Sequence, residues 1–313
     1  MKFFQIVKTA VSRFSSSFAV ITVILVMGVV ADVQASPVSA WVSAGPSAGT
    51  TICDRSKPCQ GFTSALGVIP ASGGTVNAVN AGNYQPFTVS GSCVIDGTGT
   101  FAGVLVTGGG DGCIIGGGSP TDIVVLRNLT FEGNGTGGSV GINVSNSCQV
   151  IIENCVINGF DKGITIGSFI GSLVIINTTI SNCSTLGICI SGSTMTGQLS
   201  NVSILNIAGV AGDGIDVYDG ANVNMTNCLI SQCTGAGLSV GGSLVSCIDS
   251  MFTSNATAIE CDATSSVYIS NNDFYDNTAT LSVTAGGTLS TANNNRVAGS
   301  TYVGSPTNGV LIQ

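Results

Sequence analysis

Asp213, Asp216 and Asp219 follow one another at three-residue intervals, and Glu260 falls in phase with Asp216 when the chain is read for repeats. Paired carboxylates are the groups with which glycoside hydrolysis protonates a leaving oxygen and activates water. In the inverting form they stand roughly 6.5 to 9.5 Å apart, to leave room for that water. Asp216 and Glu260 belong to one outward row, Asn143, Thr165, Cys189, Asp216, Ser239, Glu260 and Ser282, two repeats apart. Stacking strands at ~4.8 Å puts them ~9.6 Å from each other, at the upper edge of that range. Asp213, Asp216 and Glu260 are thus the candidate catalytic residues. The chain has no histidine, which excludes a nucleophile activated by imidazole. The blander account of the same acids is that they keep an exposed face soluble. On that account Asp219 and the outward rings of Tyr218 and Tyr268, with Tyr275, are candidates for binding rather than catalysis.

These residues are positioned by a repeat. An Asn or Asp stands three residues before an apolar residue in Asn128 and Phe131, Asn154 and Ile157, Asn177 and Ile180, Asn201 and Ile204, Asn227 and Ile230, Asp249 and Phe252, Asn271 and Phe274, and Asn294 and Val297. A second landmark follows each, as in Gly141-Ile-Asn-Val, Gly163-Ile-Thr-Ile, Gly187-Ile-Cys-Ile and Gly214-Ile-Asp-Val. The Ile-x-Ile alternation of the second landmark sends one set of side chains inward and the other outward. Units of 22 to 26 residues carrying two short strands each are too short for propeller blades and lack the leucine-rich consensus. They predict an all-β, single-stranded, right-handed parallel β-helix of about ten coils over residues 74–313. The stacked asparagines would form a ladder satisfying turn backbone groups. Residues 36–73 read as an N-terminal cap and disulfide loop, with 62–69 as a short amphipathic helix closing the first coil. The strand Val310-Leu-Ile-Gln313 ends the pattern.

Composition agrees: 44 glycines among 313 residues, with only 8% charged, suit short apolar strands joined by tight turns. Lys2, Lys8 and Arg13 precede an apolar run from Phe18 to Val30, and Val33-Gln34-Ala35 offers small residues for cleavage. Residues 1–35 therefore read as a signal peptide, the run being short of the ~20 residues a bilayer span needs. The layout predicts export to the periplasm, cell surface or medium, with no membrane contact after cleavage. Removing the segment leaves five basic and fifteen acidic residues, a net charge of −10. Such a chain lacks the clustered lysines and arginines that phosphate recognition needs, which excludes nucleic acid as a partner class. A polysaccharide or cell-surface partner, neutral or bridged by cations, suits it better. Of the twelve cysteines, Cys53 and Cys59 close a short loop and form the expected disulfide. The seven in the later repeats (Cys155, Cys183, Cys189, Cys228, Cys233, Cys247 and Cys261) are candidates for stacked buried thiols, and no Cys-x-x-Cys spacing suggests zinc.

The run from Trp41-Val-Ser through Cys53 and Pro58-Cys59 to Phe62, Gly73-Gly74-Thr and Tyr84, followed by coils, resembles exported bacterial right-handed β-helix repeat proteins of the pectate-lyase-like superfamily. That class resembles pectate lyases and polygalacturonases, and many of its members have no assigned activity, so fold alone does not license one. Gly212-Asp213-Gly-Ile-Asp216-Val is similar to the Asn-Thr-Asp-Gly-x-Asp segment of polygalacturonases, Asp213 taking the catalytic aspartate's place. The adjacent aspartate pair, the Gly-His-Gly and an Arg-x-Lys near the site are missing, which speaks against that activity. A pectate-lyase-like reading implies calcium held by Asp213, Asp216 and Asp219 against an acidic sugar such as pectin, with Lys162, Arg127 or Arg296 as base. The sequence thus carries two functional readings. One is a non-catalytic exported solenoid that binds through its face. The other is a polysaccharide lyase or glycoside hydrolase.

Overall fold

The computed structural model describes residues 39–45, 52–134, 139–167, 171–300 and 307–309. The signal segment expected at 1–35 and the terminal strand expected at 310–313 lie outside the described residues. The chain winds as an all-β, right-handed parallel β-solenoid of about nine turns with almost no helix. One turn shows the plan: Gln149–Glu153 lies in a first sheet, Val156–Asn158 in a second and Lys162–Ile166 in a third. The next coil then stacks Ser172–Ile176, Thr179–Ser181 and Leu186–Ser191 on them in parallel register. The three sheets hold 13, 10 and 9 strands. The first sheet starts below the expected boundary at residue 74, because Ser39–Ser43 pairs with Thr75–Ala78 and with Cys59–Gln60. A short helix, Gly61–Leu66, buries Phe62 and Ala65. Phe62 stacks on Tyr84 at 4.8 Å between ring centroids. The Cys53–Cys59 disulfide is formed.

The expected interior columns are the core. Ile142, Ile164, Ile188, Ile215, Leu238 and Ile259 are fully buried, one above the other. Each buried aliphatic side chain contributes roughly 2 kcal/mol of transfer free energy. The repeating asparagines occupy the corner between the first and second sheets. Asn128, Asn154, Asn177, Asn201, Asn227, Asp249 and Asn271 all have φ between 50° and 55°, the left-handed region that Asn tolerates better than most residues. Their ladder runs from amide to amide rather than to the turn backbone. Asn201 Nδ2 donates to Asn177 Oδ1 at 2.7 Å, and Asn177 Nδ2 donates to Asn154 Oδ1 at 3.2 Å. The last expected repeat departs from the pattern. Asn293 rather than Asn294 takes the positive φ, and Val297, stacked on Phe274, is 41% exposed instead of buried.

The glycine opening each second landmark has a steric cause. A Cβ on Gly187 would stand 2.3 Å from the Gly214 carbonyl oxygen, and the same clash recurs at 2.5 Å for Gly163 and 2.6 Å for Gly214. Coils approach so closely at this corner that a methyl group has no room. That approach sets the third sheet in register and aims its outward row.

Candidate functional site

Strand pairing places the outward row of the third sheet as the sequence implies. Asn143 pairs with Thr165, Thr165 with Cys189, Cys189 with Asp216, Asp216 with Ser239, Ser239 with Glu260 and Glu260 with Ser282. Asp216 and Glu260 are thus two strand spacings apart with Ser239 between them. Asp213 opens the same strand, Asp213–Tyr218, in a neighbouring row above Leu186 and Lys162. The 27-residue interval before this strand is absorbed in the turn and leaves the register intact.

Burial dominates the electrostatics of this face. Asp213 is half-buried and its carboxyl is pushed up to about 6 by desolvation, with Asp216 and Glu260 pushing the same way, while the Ala236 amide, donating at 2.6 Å, pulls it down. The Asp216 carboxyl is also raised, first by burial, against a hydrogen bond from Ser239 and the attraction of Lys162. Tyr218 touches Cys189, oxygen to sulfur 3.3 Å. That contact, ahead of burial, lifts the phenol to about 12. Asp219, at the strand's end, sits in the left-handed region with φ 60° and accepts from Ser191 Oγ at 2.9 Å. A half-buried carboxyl held up to about 6 can donate a proton to an oxygen. The same row of hydroxyl, carboxylate and phenol groups can hydrogen-bond a polyhydroxylated chain lying along it.

Other candidates fall elsewhere. Tyr268 lies in the first sheet, between Ser246 and Ser290, and Tyr275 in the second, between Thr253 and Ala298. Neither shares a face with Tyr218. Arg127 pairs with Glu153 at 2.6 Å and with Asp96 at 3.9 Å in the first sheet, and Arg296 pairs with Asp273 in the second. Lys162, two coils from Asp213, is the basic residue nearest the carboxylates in register. Among the described residues no three His, Cys, Asp or Glu side chains converge on a point where a metal ion could sit. Asp213, Asp216 and Asp219 are divided between a backbone amide, Ser239 and Ser191 instead. They do not fit a shared calcium. The ten cysteines outside the disulfide are all buried free thiols. Cys189 alone of them belongs to the outward row.

Sequence reasoning missed three features. A second amide ladder, in which Asn182 donates to Asn158 at 2.6 Å and Asn206 to Asn182 at 2.7 Å, follows the first by four or five residues. The contact of Cys189 with the Tyr218 hydroxyl had no sequence signal. A recess of about 340 Å³ lined by Leu66, Ile69, Ser90, Ser92, Cys93 and Asp122 lies under the N-terminal helix.

Residues 170–313 match the family model described as a right handed beta helix region. With the winding, this describes a right-handed parallel β-helix. Among solved structures the chain is similar to tailspike protein 2 from Escherichia coli O157:H7 bacteriophage CAB120 (TM-score 0.59, 13% identity, 73% of this chain and 34% of that one). It is also similar to the catalytic unit of a GH87 α-1,3-glucanase from Streptomyces thermodiastaticus (TM-score 0.55, 14% identity, 75% and 49%). A third likeness is to pectate lyase Pel9A (TM-score 0.52, 13% identity, 90% and 80%). The chain spans about a third of the tailspike and about half of the glucanase unit. No curated protein matches the sequence. At these identities the likeness is one of fold.

Proposed function

We propose that the protein is an exported solenoid that binds a polysaccharide along its third sheet. The observation that carries the reading is the continuous outward row from Asn143 to Ser282, stepped at strand spacing and flanked by Tyr218. Such a row offers hydrogen-bonding groups along the coils, with the Tyr218 hydroxyl over the covered Cys189, to a chain of sugars laid parallel to the solenoid axis. Carboxylates outnumber Lys162 on this face, which favours a neutral glycan over a uronate, since like charge raises the cost of association. The fold shared with a tailspike, a glucanase and a pectate lyase is compatible with such a partner.

A second reading is glycoside hydrolysis. It is favoured by the Asp213 carboxyl held up to about 6, an environment that lets a carboxylic acid keep a proton to donate. In it Asp213 protonates the leaving oxygen, and Asp216 or Glu260 activates water. The deciding experiment incubates the purified protein with neutral and acidic polysaccharides, with and without calcium. It follows retention on insoluble glycan, new reducing ends and absorbance from unsaturated products. Retention of a neutral glycan, lost in Asp216→Ala and without product, supports binding. Reducing ends abolished by Asp213→Asn establish hydrolysis, and calcium-dependent absorbance establishes a lyase. Neither retention nor product across the panel overturns both readings.

A further inference from the structure

Two residues that point outward on the third sheet are nevertheless buried. Cys189 is 5% exposed and Ser191 2%, although alternation along Leu186–Ser191 turns both away from the core that holds Ile188 and Ile190. Tyr218 accounts for the exception. It pairs with Ser191, one strand on, and its hydroxyl comes back to the Cys189 sulfur at 3.3 Å. Cys189 pairs with Asp216, so it stands one strand and two residues from Tyr218, about 8 Å between backbones. A phenol upright on the sheet would carry its oxygen away from that thiol. The side chain therefore lies across the preceding strand, with one ring face on Cys189 and Ser191 and the other toward solvent, and Tyr218 is left half-buried.

The strand on the other side leaves the ring uncovered. Gly241 pairs with Tyr218. Its φ is outside the left-handed region, and an added Cβ would meet only the Tyr218 Cβ, at an ordinary 3.7 Å. Neither conformation nor packing demands glycine here, unlike the corner column. Its lack of a side chain keeps open the space beside the phenol. Among the described residues Tyr218 is the one aromatic side chain in the outward rows of this sheet.

We propose that Tyr218 is the specificity-determining residue of this face, a flat platform on which one pyranose unit of a neutral glycan stacks by its C–H face. This role rests on the third-sheet reading above and adds to it the class of sugar. A pyranose with all its ring hydroxyls equatorial carries its polar groups around the rim and C–H bonds on both faces. Such a face covers an aromatic ring without stranding a hydroxyl, whereas an axial hydroxyl would be pressed against the ring and stripped of its hydrogen bonds. The rim hydroxyls of a stacked unit lie toward Asp216, on the same strand, and toward Ser239, its partner on the next, and both can accept from them. The platform thus selects gluco-configured chains over galacto- and manno-configured ones.

Isothermal titration of the full-length protein with β-1,4-linked gluco-, galacto- and manno-oligosaccharides of equal length tests the assignment. The parent is expected to bind the gluco-oligosaccharide most tightly. Tyr218→Ala should weaken that binding about tenfold and bring the three sugars level. Tyr218→Phe, which keeps the ring, should stay within about threefold of the parent. Gly241→Gln, which fills the space beside the ring, should weaken binding as alanine does, and Tyr268→Ala on the first sheet should not alter it. Thiol labelling of the native protein checks the position of the ring: Tyr218→Ala should expose Cys189, which the parent and Tyr218→Phe keep covered. Circular dichroism melts report whether each variant is folded, and should Tyr218→Ala fail to fold, Tyr218→Phe and Gly241→Gln decide. Binding that is lost in Asp216→Ala but indifferent to Tyr218→Ala and Gly241→Gln overturns the platform and leaves the glycan reading standing. Equal affinity of the parent for the three sugars overturns it too, as does a Tyr218→Phe protein weakened tenfold, which would make the hydroxyl the contact. A parent that binds none of the three overturns the platform, and the glycan reading with it if the polysaccharide panel is silent as well.

Discussion

Replacing Gly187 by alanine measures how rigidly the coils are spaced. The new Cβ would lie 2.3 Å from the Gly214 carbonyl oxygen and 2.7 Å from Ile204 Cγ2. Ordinary contact requires roughly 1 Å more on the first count. The obstructing atom is main chain, clamped between coils by ladder hydrogen bonds on both sides, so it cannot swing away as a flexible side chain would. Overpacking of this kind costs about 3 kcal/mol at the upper end of the usual range. Against that, alanine restricts the unfolded chain and returns ~0.7 kcal/mol. The clash wins, and a net loss of about 2 kcal/mol is expected. At Gly237 an added methyl would stand 2.8 Å from the nearest carbonyl oxygen, and the loss should be smaller. Gly91, with nothing within 4 Å, should gain a few tenths. Equilibrium unfolding in urea, followed by far-ultraviolet circular dichroism, ranks the three. A Gly187→Ala protein within ~0.5 kcal/mol of the parent would show that the corner opens freely, and would refute the steric account of the glycine column.

Two further outcomes are expected. The Asp213 carboxyl titrates near 6 in the folded protein against an ordinary value of 3.8. The native state therefore takes up a proton that the unfolded chain declines between those values, and this contribution to stability is lost as pH rises through about 6. Asp213→Asn, which keeps an acceptor for the Ala236 amide, should flatten the melting-temperature profile between about pH 4 and 7 and raise its neutral end. An unchanged slope would remove Asp213 as its cause. The ten free thiols are buried, and desolvation pushes Cys93, Cys155, Cys183 and Cys233 up to about 12. A thiol reagent at about pH 8 should read none in the native protein and all of them in denaturant. Prompt labelling of several would contradict the packing.

Inward and outward assignment was legible wherever a β-branched residue alternated with a polar one. Ile-Asp-Val and Ile-Cys-Ile admit one orientation, which is why the row through Cys189, Asp216 and Glu260 emerged from the sequence. Ile123-Val-Val-Leu-Arg127 does not, because both sides of the strand are apolar, and Val124 and Val125 are both buried. Tyr268 lies between Ser246 and Ser290 in the first sheet, and alternation says nothing about which of three sheets a strand joins. That requires counting both corners of the repeat, and the second corner carries a weaker mark. Its residues, Asn182, Asn206, Gln232, Ser254 and Asp276, share a positive φ without sharing a type. The polar groups that divide Asp213, Asp216 and Asp219 among themselves come from neighbouring coils, and their partners appear only once the register is known.

The register of the third sheet gives the molecule an integer scale. Turns between strands differ in length from coil to coil, yet Asp216 and Glu260 remain separated by a whole number of strands, because insertions bulge outward while the glycine corner holds the stacking. Point substitutions cannot tune that separation by fractions of an ångström. A duplicated or deleted coil would change it by one full step, so divergence in the length of ligand such a surface accommodates would proceed by copying coils rather than by adjusting them.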